Sequence, residues 1–187
     1  HVHIAIWHIV SLPLTAGPPV AASLDEPCAS RLVSLQANVE ERHAMSGENC
    51  LTGLKVLDLT QFEAGPSCTE ALAWMGADVV KVENPGAGDP GRSSGRTSPG
   101  VDALYFLQYN SNKRSIAVNL KDPRGLQVVK DLVKNADVMI ENFAPGAIER
   151  LGLGYDVAKA LNPGIIYAQV KGFAEGSPLE KNLAFDM

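Results

Sequence analysis

"DVMIENFAPGAIERLGLGY", residues 137–155, opens as a short apolar strand and closes in a helix, with Asn142, Phe143, Pro145 and Gly146 at the junction. The same alternation recurs on both sides. Upstream, "LKVLDL" (54–59) reads as a strand, followed by the Gly65-Pro66 turn and a helix "PSCTEALAWM" that Gly76 stops. Pro66 suits a first helical position, because its missing N–H would have no intrahelical partner there. "DVVKVE" (78–83) is a second strand, "VDALYFLQYN" (101–110) a helical turn or two, and "SIAVNL" (115–120) a third strand. Asp122 sits where an N-cap belongs and Pro123 at the first helical position, ahead of Leu126, Val129, Leu132 and Val133 at helical spacing. Beyond the quoted stretch come a helix around "DVAKAL" and a strand "IIYAQV" (165–170). Strands separated by helices imply right-handed crossovers and an α/β fold, a parallel sheet with helices on both faces.

In open α/β sheets ligands bind beyond the carboxyl ends of the strands, where helix N-termini aim unpaired amides. Asn142 and Phe143 occupy that place. Two readings stand side by side. Asn142 fixes a polar linker while Phe143 and Ala147 form an apolar wall, with Arg150 one turn on; or Asn142 caps the next helix and Phe143 is a core residue. Taken alone, the stretch favours the second.

Other motifs narrow the chemistry. "GAGDPG", Gly86 to Gly91, satisfies the G-x-G-x-x-G pattern and follows a strand, but it continues "RSSGRTSPG", which cannot open the helix a dinucleotide requires. A flexible loop, 84–100, without regular structure, is the preferred reading. Glu83, at the place of a ribose-binding acid, lacks the glycine fingerprint beside it and reads as solvated or salt-bridged. Lys113, Arg114, Lys121 and Arg124 concentrate cations within a dozen residues. A solvated face and an anion cradle weigh equally there.

The 187 residues suffice for one domain with a real core, and a net charge of −5 without basic runs argues against a nucleic-acid surface. Three cysteines, Cys28, Cys50 and Cys68, share no metal-ligand or redox spacing and fit a reducing compartment, the cytoplasm or a mitochondrion. All four histidines (His1, His3, His8 and His43) precede residue 45, so the remainder must work with carboxylates, cations, hydroxyls and backbone amides. "IAIWHIVSLPLTAG" (4–17) resembles a secretory core region but lacks preceding basic residues. Residues 1–44 therefore read as an extraneous or poorly ordered leader, with a start at Met45 and the functional domain over 45–187.

Four segments together carry a resemblance: "GLKVLDLTQFEAGPSCTEALAWMGADVVKVENPGAGDPGR", "LYFLQYNSNKRSIAVNLKDPRG", "ADVMIENFAPGAIERLGLGY" and "NPGIIYAQVKGFAEGSP". From Leu51 to Met187 the chain resembles, in unbroken order, the N-terminal part of the class III CoA-transferases of the CaiB/BaiF type. The resemblance implies a Rossmann-like large domain, with the family's small domain missing from this chain, and an interlocked homodimer in the full-length family. It implies acyl-CoA and a small carboxylic acid as partners, with coenzyme A carried as the acyl-CoA substrate, no metal, no nucleic acid and no membrane.

Carried over by position, Phe62, Glu63 and Ala64 line the thioester end. Val118, Lys121, Asn142, Phe143, Ala147 and Arg150 contact the nucleotide and pantetheine, and Tyr105 sits near the acyl pocket. The family's nucleophile is an aspartate in a Gly-Asp pair further along than Met187, and Asp186 does not align with it. The chain alone is then inactive, with Glu63 in a supporting role only. Glu63 stands where Gln is expected, Asn84 replaces an Arg expected at the CoA phosphates, and "NLAF" lacks a Lys two residues before its aromatic. A carboxylate at 63 cannot donate a hydrogen bond unless protonated and repels an anionic acceptor. The alternative is a non-catalytic α/β nucleotide-binding module of the NAD type.

Overall fold

The computed structural model describes the backbone of residues 6–8 and, with side chains, residues 49–95 and 100–184. The chain falls into two compact units, one made of His1–Ser11 with Leu51–Met187, the other of Leu12–Cys50. Within the first, strands β1 (Ile6–His8), β2 (Lys55–Leu59), β3 (Asp78–Glu83), β4 (Arg114–Ala117), β5 (Val138–Glu141) and β6 (Ile166–Gln169) form one sheet, ordered β1-β4-β3-β2-β5-β6. The five strands from β2 on run parallel. β1 adds antiparallel to the β4 edge, Trp7 opposite Ser115.

Helices α1 (Ala64–Trp74), α2 (Leu104–Asn110), α3 (Pro123–Val133), α4 (Ala147–Arg150) and α5 (Tyr155–Leu161) connect them. The period of two along each strand sorts side chains onto opposite faces. Leu57, Leu59, Val82, Ile116, Val118 and Met139 meet Val129 and Val133 of α3, Ile148 of α4 and Ala158 of α5 in one core. Val56, Val79, Val138 and Ile140 meet Ala73 of α1 in the other. The parallel sheet covered on both faces is therefore as the alternation predicts.

α3 begins where the sequence says: the Asp122 side chain accepts from Arg124 N at 2.9 Å, with Pro123 next. Gly125 must be glycine in that first turn, because a Cβ there would stand 2.3 Å from the Asn119 carbonyl oxygen. Three local expectations are corrected. α1 starts at Ala64, which puts Pro66 third in the helix rather than first; no N–H of a first turn has an intrahelical acceptor, so proline is tolerated at any of these positions. The 84–100 loop is not free of regular structure, since Pro90–Ser93 make a 3-10 turn capped by Asp89, whose carboxylate accepts from Gly91 N at 2.8 Å. The third strand also runs 114–117 rather than 115–120.

Among the described residues no helix is long and apolar enough to cross a membrane.

Candidate functional site at the sheet switch point

Strand order reverses between β2 and β5, so the connections leaving their carboxyl ends diverge and open a crevice. The residues leaving β2 are Thr60, Gln61, Phe62 and Glu63; those leaving β5 are Asn142 and Phe143. Asn142 bridges the two ends. Its Oδ1 accepts from Gln61 N at 2.8 Å and its Nδ2 donates to Gln61 O at 2.7 Å. The side-chain amide thereby pairs like a peptide group from a neighbouring strand. The α4 helix is led not by Asn142 but by Gly146, in a left-handed conformation at φ 72°.

The β2 turn is strained. Phe62 has φ 64°, a region that costs a residue bearing a Cβ about 1–3 kcal/mol unless its surroundings hold it there. They do: Phe62 N donates to Asp89 Oδ1 at 3.1 Å, and Lys81 Nζ donates to the Thr60 carbonyl at 2.7 Å. Thr60 N donates to Asp58 Oδ1 at 2.8 Å. Every backbone polar group from Thr60 N to Phe62 N is thus taken by a side chain.

Two clefts meet at this turn, sharing Gln61 and Phe143 in their walls. The larger, about 470 Å³, is walled by Phe62, Glu63, Ala64, Tyr105, Asn142 and Lys171, among others. The second, about 410 Å³, is walled by Val118, Lys121, Asn84 and Leu151. The sequence-assigned residues are accordingly divided: Phe62, Glu63, Ala64, Tyr105 and Asn142 in the first, Val118 and Lys121 in the second, Phe143 in both. Ala147 and Arg150, on α4, line neither. Tyr105 Oη reaches Glu63 Oε2 at 3.4 Å, a long hydrogen bond that ties two of the sequence-assigned residues together.

Behind the first cleft lies an ionic layer that sequence reasoning missed. Asp58, fully buried, takes Lys113 Nζ at 3.1 Å and Thr69 Oγ1 at 2.6 Å. Lys81 Nζ lies 2.8 Å from Asp89 Oδ2. Glu83 holds Arg92 through two hydrogen bonds of 2.6 Å, and Arg92 also reaches Asp102 and stacks 3.8 Å above the centre of the Phe106 ring. Burial works to raise the Asp58 pKa, but Lys81 and Lys113, with the Thr60 and Thr69 hydrogen bonds, hold it below the ordinary carboxylate value. Burial likewise opposes ionisation of Glu83, yet Arg92 and Ser115 keep it below its ordinary value. Burial brings Lys113 down to about 8, against the pull of Asp58. The spacing of these partners along the chain, 55 residues for Asp58 and Lys113, leaves no local signal. The one available clue was a charged residue at alternate positions of otherwise apolar strands.

The cation cluster is dispersed by these contacts. Lys113 is buried with Asp58, Arg114 pairs with Asp78 and Arg124 with Asp122, while Lys121 makes no ion pair among the described residues and faces the second cleft. Glu83 is the salt-bridged residue of the plainer reading. The glycine pattern 86–91 leads into the 3-10 turn rather than a helix, so it offers no dinucleotide a helix N-terminus. Among the described residues no His/Cys/Asp/Glu cluster is placed to hold a metal.

Comparison with known proteins agrees with this arrangement. Residues 51–187 match the sequence model of CoA-transferase family III. The chain is 48% identical over 136 residues to a formyl-CoA:oxalate CoA-transferase of Escherichia coli, a match covering 73% of this chain and 33% of that protein. A CAIB/BAIF family protein from Brucella suis superposes with a TM-score of 0.70 at 39% identity, over 75% of this chain and 38% of the other. A Mycobacterium tuberculosis protein gives 0.69 at 36%, covering 75% and 39%. The chain thus spans about a third of the length of the curated relatives it matches. Because that family model matches well over half of the chain, including both strands of the switch point, the chain belongs to CoA-transferase family III.

Proposed function

We propose that residues 45–187 are the CoA-binding part of an acyl-CoA:carboxylate CoA-transferase similar to the formyl-CoA:oxalate enzyme, acting on an acyl-CoA and a small carboxylic acid. The observation that carries this is the pair of clefts meeting at Gln61 and Phe143. One has an apolar wall with a lysine that makes no ion pair among the described residues, suited to pantetheine and phosphate. The other has the strained Phe62 turn and Glu63, suited to the thioester.

The nucleophile in this reading is an aspartate of the full-length protein, outside this chain. Its carboxylate attacks the donor thioester carbonyl, the C–S bond breaks, and CoA thiolate leaves a mixed anhydride. The thiolate then attacks the aspartyl carbonyl, releasing the donor acid and leaving an aspartyl-CoA thioester. The acceptor carboxylate attacks that thioester, freeing the thiolate, which takes the acceptor acyl group from the second anhydride and restores the aspartate. One thioester replaces another, so the site must exclude water and stabilise the oxyanion rather than drive the reaction. The chain's own contribution is to hold CoA and to wall the anhydride with Phe62 and Tyr105. Glu63 beside Tyr105 disfavours a dianionic acceptor.

The full-length subunit works as an interlocked homodimer in the cytoplasm, without metal, nucleic acid or membrane, and the 187-residue chain alone is inactive. Thermal melts of the chain with CoA or NAD test the reading. CoA raises the melting temperature and NAD does not displace it; protection by NAD with no response to CoA overturns it in favour of a nucleotide-binding module. Turnover of acyl-CoA and dicarboxylate by the isolated chain contradicts the assignment of the nucleophile.

A further inference from the structure

The "GDPGR" segment, Gly88 to Arg92, is built inward rather than out into solvent. Asp89 is 2% exposed. Its backbone N donates to Glu83 Oε2 at 2.8 Å, Oδ1 accepts from Gly91 N at 2.8 Å and from Phe62 N at 3.1 Å, and Oδ2 faces Lys81 Nζ at 2.8 Å. The glycines on either side of the Asp89-Pro90 pair are closely packed. A Cβ on Gly88, at φ 68°, would lie 2.7 Å from Arg92 Cδ, and one on Gly91 would press the Asp89 carboxylate and the Tyr105 ring at 3.2 and 3.3 Å. Arg92 O accepts from Ala103 N at 3.0 Å, where α2 begins, so the segment also seats the helix that carries Tyr105.

We propose that Asp89 is a positioning residue for the thioester end of the cleft. By accepting the Phe62 N–H it holds that residue in its left-handed conformation and so aims the Phe62 ring and Glu63 at the ligand. Lys81 fixes the same turn from its other side, through the Thr60 carbonyl, and neutralises Asp89. The loop after β3, which pattern matching reads as a dinucleotide fingerprint, serves instead as the brace of the β2 turn. For its ligand this inference rests on the CoA-transferase reading; for the brace it does not.

The test uses the 187-residue chain with Asp89→Asn, Phe62→Gly and both together. Acetyl-CoA and adenosine 3′,5′-bisphosphate are titrated calorimetrically, and each protein is melted. Losing the charged hydrogen bond should weaken acetyl-CoA about tenfold while the bisphosphate, which reaches only the second cleft, changes by less than about twofold. Glycine adopts positive φ without penalty, so the fall in melting temperature caused by Asp89→Asn should shrink to about half or less in the Phe62→Gly background. Equal weakening of both ligands, no weakening of either, or strictly additive melting shifts overturns the proposal. In the unmodified chain the Phe62 amide should exchange slowly with deuterium, and free exchange overturns the brace whatever the variants do. If the unmodified chain binds neither ligand, the transferase reading fails, while the melting cycle and the exchange rate still decide the brace.

Discussion

The two faces of the sheet are built on different principles. The α3 face is apolar almost throughout, from Leu57 and Met139 to Val129 and Val133, with Glu141 at its rim. The α1 face is divided: Val56, Val79, Val138 and Ile140 make an apolar half, whereas Asp58, Lys81, Glu83, Lys113 and Ser115, all buried, make a polar half on β2, β3 and β4. A hydrophobic layer gives more free energy per buried area, whereas buried ion pairs cost desolvation that their attraction only partly offsets. The polar half lies directly beneath the strained Phe62 turn. Charges with directional hydrogen bonds specify a backbone geometry that dispersion contacts cannot, and stability is traded there for placement.

The largest blow to this contrast is removal of one buried partner. Lys113→Ala should cost about 3–5 kcal/mol in urea unfolding, because Asp58 is left buried and underpaired, whereas Asp58→Leu with Lys113→Met should recover only part of it, since Thr60 N then loses its acceptor. A single variant no worse than a surface change would show the pair to be incidental. On the other face, Met139→Ala should cost about 2–5 kcal/mol through lost packing and a cavity, with the pH dependence of unfolding unchanged.

That pH dependence sharpens the contrast. Asp58 and Glu83 have folded pKa values below their ordinary ones, so their stabilisation is complete above the unfolded value and disappears as pH falls below about 4. Lys113 titrates at about 8 when folded, so between there and its unfolded value the unfolded chain holds more protons and this residue's contribution rises with pH. Melting temperatures of the wild type, compared with the Asp58→Leu/Lys113→Met chain, should therefore fall on the acid side and rise by a few degrees, roughly, from pH 8 to 10. Parallel profiles would refute the assignment. Arg114, next in sequence to Lys113, supplies the smallest effect. Its pair with Asp78 is about half exposed on both sides, so Arg114→Ala should change stability by less than about 1 kcal/mol and less still in high salt.

Lys113 and Arg114 also show what the sequence could and could not reveal. The alternation of strands and helices was legible because each element declares itself locally: Asp122 and Pro123 start α3 by chemistry confined to three residues, and "DVVKVE" is bounded by Gly76 and Asn84-Pro85. Phe62, Glu63, Ala64, Tyr105 and Val118 were singled out only through family likeness, Phe143 also by its place at a strand tip and Lys121 by its cationic neighbours, and each lies in a cleft wall. What escaped was the partnering across the sheet. Nothing near Lys113 marks it as buried while Arg114 is exposed; Asp58, far upstream, decides that. Asp89 was hidden for a second reason, since the glycines and prolines around it signal an absence of helix and strand but not whether the loop turns inward.

Asn142 lends its amide to Gln61 as an impostor rung, continuing the β2–β5 ladder one step past the point where main chains have parted company. The width of the gap between the two strand tips is consequently dictated by the length of a single side chain. Lengthening it by one methylene, as glutamine would, offers a way to spread the tips and widen the cleft between them without redesigning the sheet beneath.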